Sequence, residues 1–592
     1  MVDAVGTTRY TFTTGGQLWT EDGPFASDTV TSTYQNRLRV GLSLQQPTGA
    51  WTNGFSYDAT RRLAAVTSPA GAFAYTYTAL YAGYSGRLIQ ELGLPNGAYV
   101  TNVFDSVARE LSTVLKSSAG ATLDAAFYGY NAGNQRTAYT NAAGTYFRYT
   151  NDPIGQLQVA TSSSYSENRG YTYDAAWNLN YRTNSGTLSR FMVDNKNQLT
   201  NAIGGTYSYD ANGNLTAGTN GHNAYVYDDE NRLLQWFWYA TDGSHLTNGA
   251  LRTDFTYDGL GRLRKRLEYH IGGQVGPPPS SPSEPGPLIQ QPQWTFDYGV
   301  IYVYDGWRVI QERDTNNVPQ VSYTRGLDLS GSLEGAGGFG GLLARSSGYS
   351  SGNWTSHAYY HGDGNGNVTC LVASNQSVVA SYRYDPFGNT IAKSGSLADE
   401  NVYRFSSKEC HTNSLMYYYG YRFYDPNLQR WLNRDPLGEP GFELIRHPVR
   451  SGLQRIRLPL GVVAGGPNLF DFVGNRPINS IDPLGLAYGN PVSGPNGPVG
   501  PSDPYGPGWP YYPNGPFYKP SSPPPCVNTC KAEENRCRAR AVIVCIAAGI
   551  ITETGPIGGG ACLAVYMEFC KEKYHDSCVD TPTGPYLLSP YN

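Results

Sequence analysis

The chain alternates apolar and polar positions with period two over short stretches, each broken by a turn signal. "FSYDATRRLAAV" (55–66), "YTYDAAWNLNY" (171–181), "YSYDANGNLT" (207–216), "YVYDDENRLLQW" (225–236), "FTYDGLGRLRKR" (255–266), "YVYDGWRVIQE" (302–312) and "YRYDPFGNTI" (382–391) share one grammar. Aromatic-x-Tyr places two rings on one face of a strand. Asp ends that strand and offers its carboxylate to the amides of the next turn. Gly or Asn then supplies positive φ, and a Leu-containing strand leaves in the opposite direction. "NVFDSVARELS" (102–112) and "FMVDNKNQL" (191–199) are eroded copies, and the spacing from Asp174 to Asp194, Asp210 and Asp228 stays near 20 residues. Each copy is a strand–turn–strand unit that cannot bury its own apolar face. Many copies side by side therefore make a long sheet that must twist, coil and protect its edges. The prediction is an all-β chain built as a long, spiralling antiparallel sheet.

Composition agrees with this reading. The 592 residues include 48 Tyr and 70 Gly but four Met, a balance that favours strands and hairpins over helices. Charged residues are 15% and net charge is −4, which excludes a basic nucleic-acid footprint; no nucleic-acid partner is expected. No 18-residue apolar run exists, so nothing reads as a plain membrane-spanning helix. The start carries no basic end followed by an apolar run, so no signal peptide is visible and export would take a non-classical route.

Three loops interrupt the pattern. "GPPPSSPSEPGPLIQQP" (276–292) cannot pair as strand. Gly335-x-Gly337-x-x-Gly340 matches a dinucleotide fingerprint formally, but no βαβ unit follows it, so it reads as a linker and no cofactor is expected. "HGDGNGNVT" (361–369) has Asp363, Asn365 and Asn367 at calcium-like spacing without the bidentate Glu, so a hairpin turn is expected and no metal. Cys370 and Cys410 stand isolated and read as buried free thiols.

The Tyr-Asp phrases resemble the YD repeats of the RHS family, which includes bacterial polymorphic toxins, the C component of insecticidal Tc toxins and the shell of teneurins. "VYRFSSKECHTNSLMYYYGYRFYDPNLQRWLNRDPLG" (402–438) and "NLFDFVGNRPINSIDPLGL" (468–486) resemble the RHS repeat-associated core. The resemblance implies a β-shell, or cocoon, over 1–400, closed by a C-terminal plug over 401–486. It also implies a single-turnover, aspartic-type autoprotease. Its carboxylates match Asp435 of "RDPLG" and Asp482 of "IDPLG", with Arg434 matching the basic residue before the first. Two such carboxylates share a proton, one acting as base and the other as acid. The implied scissile bond is Leu486–Ala487. One departure stands out: 43 residues separate Gly438 from Asp482, where relatives keep the two phrases much closer. The surplus "FELIRHPVRSGLQRIRLPLGVVA" (442–464) can loop out without moving its ends, or it can spoil the pair. Asp425-Pro426 reads as an ordinary turn opener.

Residues 489–525 hold 13 Pro and 7 Gly, so 487–525 reads as a linker. Residues 526–592 form a Cys-rich C-terminal payload. Cys530, Cys537 and Cys545, then Cys562, Cys570 and Cys578, advance by seven or eight residues around a Gly-Pro-Gly break. This fits a small α-helical hairpin pairing Cys545 with Cys562, Cys537 with Cys570 and Cys530 with Cys578, leaving Cys526 over. Zinc binding and membrane activity remain alternatives for this segment. No nuclease, deaminase or transferase motif is found, and His575 stands alone. Two functions are weighed. One is an RHS-type toxin shell that encloses its own C-terminal peptide and frees it by self-cleavage; an immunity protein, secretion or delivery machinery and an N-terminal capping partner are implied by resemblance. The other is a secreted or cell-surface structural or adhesion protein without catalytic activity.

Overall fold

The computed structural model describes residues 1–78, 86, 88–239, 249–272, 293–436 and 468–486. The chain divides into two units, Met1–Phe442 with Gly461–Pro513, and Glu443–Leu460 with Asn514–Asn592; every described residue belongs to the first. The Pro-rich excursion at 276–292, the insertion at 442–464, Ala487, the linker and the cysteine-rich segment lie outside the described residues.

Among the described residues the strands form a 19-stranded, a 14-stranded and a four-stranded sheet. The first runs from Arg9–Phe12 to Gly205–Thr206, and the second from Ser208–Tyr209 to Thr390–Ser394. Pairing is antiparallel and follows chain order, as in Ala50–Tyr57 with Leu63–Ser68, and Leu63–Ser68 with Gly71–Tyr77. The four short strands Glu409–Cys410, Tyr417–Tyr418, Phe423–Asp425 and Arg430–Trp431 form the third sheet.

The repeated turn has one internal geometry. Asp58 Oδ1 accepts the amides of Thr60 and Arg62, each at 2.9 Å, and Asp58 Oδ2 accepts Arg62 Nε at 2.7 Å. Asp174 does the same for Ala176 and Asn178, with the Asn178 side chain taking the place of the arginine. Asp258 repeats it with Leu260 and Arg262. The fourth turn residue takes positive φ even where it is not glycine: Arg61 (66°), Ala108 (66°) and Trp177 (65°). That conformation costs an L-residue about 1–2 kcal/mol, offset by the carboxylate's several hydrogen bonds.

Tyrosines near the ends of five strands tie one repeat to the one before. Tyr77 Oη donates to Leu63 O, Tyr173 to Leu157 O, Tyr257 to Leu233 O, Tyr304 to Leu263 O and Tyr384 to Val368 O, at 2.6–2.9 Å. The acceptor always sits five residues after the preceding Asp. The ladder register shifts just before these tyrosines, as at Thr76/Tyr77, Thr172/Tyr173 and Thr256/Tyr257. Such bulges sharpen strand twist. The leucine after the turn and the aromatic three residues before the Asp fill the core: Leu63, Leu157, Leu233 and Leu263, with Phe55, Tyr171, Phe255 and Tyr302, are all buried.

One core cluster joins all three sheets. It contains Leu157 and Tyr171 from the first, Phe387 after a strand of the second, and Tyr417, Tyr424 and Trp431 from the third. Phe472 completes it, stacking on Tyr424 with ring centroids 3.9 Å apart. This aromatic packing fixes 468–473 against the four-stranded sheet.

Candidate functional site

The site starts from a tight reversal in "YYYGYRF". Tyr419 N donates to Arg422 O at 3.0 Å, and Gly420 takes φ 106°. The turn aims Arg422 inward, where it is 3% exposed and lies over the Trp431 ring, 4.2 Å from the centroid. Its nitrogens then organise everything nearby. Nη2 donates to Asp435 Oδ2 at 2.9 Å and lies 3.7 Å from Asp482 Oδ2. Nη1 donates to Leu469 O at 3.2 Å, and Nε donates to Gly485 O. The fixed fork of a guanidinium suits such multipoint holding.

Asp482 folds its own phrase into a turn. Its Oδ1 accepts Leu484 N at 3.3 Å, Gly485 N at 2.8 Å and Leu486 N at 3.0 Å. Lys408 grips the same turn, donating from Nζ to Pro483 O at 2.7 Å and to Gly337 O at 3.2 Å. Burial pushes the Lys408 ammonium down to about 7, against the pull of Asp482. Gly337 needs its missing side chain here: a Cβ would stand 2.4 Å from Pro483 O. The glycine-rich loop is thus a packing surface for this turn, and Asp328 Oδ2 orders it by accepting Ala336 N and Gly338 N.

A third carboxyl enters from the neighbouring segment. Asp435 N donates to Leu469 O at 3.0 Å and Trp431 N to Phe470 O at 3.0 Å, so 469–471 runs alongside 430–435. Asp471 is 9% exposed and its Oδ2 meets no hydrogen-bond partner. Burial pushes its carboxyl up to about 8; Asp435 pushes the same way, while the Gly474 N–H, Arg422 and Arg476 oppose.

Thus the structure brings Asp435 and Asp482 onto one guanidinium, that of Arg422. Arg434 points elsewhere and packs on the Asp210 turn, where a Cβ on Gly213 would lie 2.5 Å from Arg434 Nε. Leu486 closes the Asp482 turn at the end of the described residues. Asp425 Oδ1 accepts Asn427 N and Leu428 N, an ordinary turn. Asp363 holds its own turn through Asn365 N, Asn367 N and Asn367 Nδ2, and Asn365 is engaged by Arg136. No group of metal-ligating side chains occurs among the described residues. Cys370 and Cys410 are buried free thiols. Sequence reasoning missed Arg422 and Asp471. The available signals were a lone arginine in an aromatic strand pattern, and a lone acid in the apolar run "LFDFV".

Antiparallel meanders with Asp-centred turns, stitched by tyrosines and followed by a buried Asp-Pro-x-Gly turn, make up the described fold. The chain has the fold of the Tc toxin shell, and its sequence is similar to RHS-type toxins. No family model matches it. It is 25% identical over 315 residues to the tRNA3(Ser)-specific nuclease WapA of Bacillus spizizenii, covering 53% of this chain and 10% of that protein. It is 34% identical over 115 residues to the toxin subunit YenC1 of Yersinia entomophaga, covering 19% of this chain and 9% of that protein. The solved TcdB2-TccC3 structure superposes with a TM-score of 0.52 at 16% identity, covering 81% of this chain and 26% of that one. The chain thus spans about a tenth of the length of these curated relatives.

Proposed function

We propose that this chain is an RHS-type toxin shell that encloses its own C-terminal peptide and releases it by cutting itself after Leu486. It would work at the cell surface or after secretion, with delivery and immunity partners of the kind its relatives imply. The observation that carries the reading is the contact of one guanidinium nitrogen with Asp435 and Asp482, while Asp482 also holds the amide of Leu486.

Asp435 is the base in this account, activating a water for attack on the Leu486 carbonyl. Asp482 presents the bond: three turn amides on one oxygen fix 484–486, and the cut in cis gains high effective concentration. Arg422 positions both carboxylates and, through Gly485 O, the residue before the scissile one. The role expected of Arg434 passes to Arg422, because the Arg434 side chain lies against the Asp210 turn.

A denaturing gel of the expressed full chain tests this. Two fragments are expected, the smaller beginning at Ala487 by mass spectrometry. Asp435→Asn, Asp482→Asn and Arg422→Met should each give one band, whereas Arg434→Met should still give two. A wild-type chain that stays whole overturns the proposal and leaves the structural or adhesion reading ahead.

A further inference from the structure

The outward side of the first sheet combines exposed apolar side chains with charges of one sign. We infer that this side, over the ten strands from Tyr99–Phe104 to Leu199–Ala202, is a docking surface for an anionic lipid bilayer, which the shell binds peripherally. This goes beyond the proposed function and stands independently of it.

The pairing register decides which residues share that side. Ser112 lies opposite Val103 on one neighbour and Phe127 on the other; Phe127 lies opposite Thr140, and Thr140 opposite Tyr146. Farther along, Thr150 lies opposite Val159, Val159 opposite Gly170, Gly170 opposite Thr183 and Thr183 opposite Leu188. Met192 follows Leu188 at an even spacing and shares its side. Val103, Phe127, Tyr146, Val159, Leu188 and Met192 are all exposed, Leu188 most of them at 63%. A set of this breadth marks a surface that meets something other than water.

The charges sort by side. These ten strands contain two acids, Glu110 and Asp124, and both point inward. Asp124 Oδ2 pairs with His361 Nδ1 at 2.8 Å and accepts from Thr369, while Glu110 packs against Gly364. At the strand ends Asp105, Asp152, Asp174 and Asp194 are engaged by the amides of their own turns. The outward charges are cations. Lys116 lies opposite Tyr99, Arg190 opposite Tyr181, and Arg148 opposite Thr161 with its guanidinium 4.9 Å from the Tyr146 ring centroid. The pattern is also confined. The preceding strand, Ile89–Gly93, turns Glu91 outward, and the strands before it turn out small uncharged residues such as Ala74, Thr67 and Gly54.

Charge decides the occupant. Two copies of this face laid together would set cations against cations, so the face does not complement itself. An anionic bilayer does complement it. Arginine and lysine heads attract the headgroups, while their stems and the apolar side chains sink into the headgroup–acyl boundary. The apolar side chains stand singly, separated by Thr and Gly, across nine strand spacings, or about 43 Å. A protein interface gathers such residues into one dry centre. A bilayer accepts anchors spaced out in this way.

Flotation of the full chain with vesicles tests the inference, scored on the band that holds the sheet whether or not the chain is cut. Binding is expected to vesicles of phosphatidylcholine with phosphatidylglycerol but not to phosphatidylcholine alone. It should weaken in about 1 M salt, where the screening length is about 3 Å. Arg148→Glu combined with Arg190→Glu should lower the partition coefficient by about 30-fold or more. Leu188→Ser combined with Phe127→Ser should lower it by about tenfold. Thr52→Glu combined with Thr67→Glu, on the small uncharged strands, should change it far less. Thermal melts of each variant report folding. A photoactivatable phosphatidylglycerol maps the contact on the unaltered chain, with adducts expected in Tyr146–Asn151 and Thr187–Val193. Equal binding to both kinds of vesicle overturns the inference. So does unchanged binding of the folded double-arginine variant, or adducts confined to other parts of the chain, since either assigns the binding elsewhere. A chain that ignores both vesicles overturns it too; if light scattering then shows a dimer that Leu188→Glu dissociates, the face belongs to a second copy.

Discussion

The same turn carboxylate occurs at two depths, which allows its worth to be measured in two environments. Asp58 and Asp258 make matching bonds: amides at positions two and four, and the arginine Nε at position four. Side-chain exposure is 27% for Asp58 and 30% for Arg62, against 1% for Asp258 and 2% for Arg262. Replacing Asp58 by Ala removes a screened ion pair, about 0.5 kcal/mol, and strands amides that water can reach; the total is about 1 kcal/mol. Replacing Asp258 by Ala leaves the buried Arg262 guanidinium with one carboxylate fewer. Breaking a buried pair costs about 3–5 kcal/mol. Arg262 keeps Glu21 at 2.6 Å and Gly306 O at 2.9 Å, which argues for the lower end, and the enclosed Arg262 amide adds about 1 kcal/mol. The expected losses are therefore about 4 kcal/mol at Asp258 and about 1 kcal/mol at Asp58. In scanning calorimetry at matched scan rates, a cooperative unit of roughly 500 residues moves by about 1 °C per kcal/mol. Asp258→Ala should thus melt about 4 °C low and Asp58→Ala about 1 °C low. Equal shifts in the two variants would refute the claim that burial sets the value of this turn. Asp58 adds a pH signature: its turn bonds hold it down to about 2. With the folded value below the ordinary 3.8, its contribution is present above about pH 4 and fades as pH falls toward 2.

Two further outcomes follow from the geometry. Tyr257→Phe deletes the hydroxyl that reaches Leu233 O at 2.7 Å; unfolding should be easier by about 1–2 kcal/mol, with the strands Asn223–Tyr227 and Leu233–Trp238 losing hydrogen-exchange protection first. Lys408→Met removes a buried ammonium whose folded value, about 7, lies below the ordinary 10.5. Wild-type stability should fall as pH drops from about 10.5 to about 7, and the variant's stability curve should be flatter across that window by thermal melts.

Much of the architecture was legible because its rules are local. The carboxylate, the positive-φ residue and the returning leucine lie within six positions, so seven clear copies suffice to predict stacked hairpins. The role of the tyrosine was not legible. Its acceptor lies in the preceding repeat, 14 residues back for Tyr77 but 41 for Tyr304, and no fixed spacing betrays it. Two shared phrases drew attention to Asp435 and Asp482, yet the neighbour in sequence, Arg434, turns toward Gly213 while Arg422 does the bridging. That exchange is a matter of side-chain direction after the Trp431 strand, which chain order alone does not encode. Asp471 was passed over because it stands outside both phrases, although an acid between Phe470 and Phe472 is itself a signal of an enforced burial.

Strand order equal to chain order has a consequence for how such a molecule is made. As the nascent chain leaves the ribosome, each finished hairpin offers an open edge to the very next segment synthesised, so the ladder grows vectorially and no strand waits for a distant partner. The same property makes copy number adjustable in evolution: duplicating one Tyr-Asp hairpin inserts a rung between two others without rethreading anything.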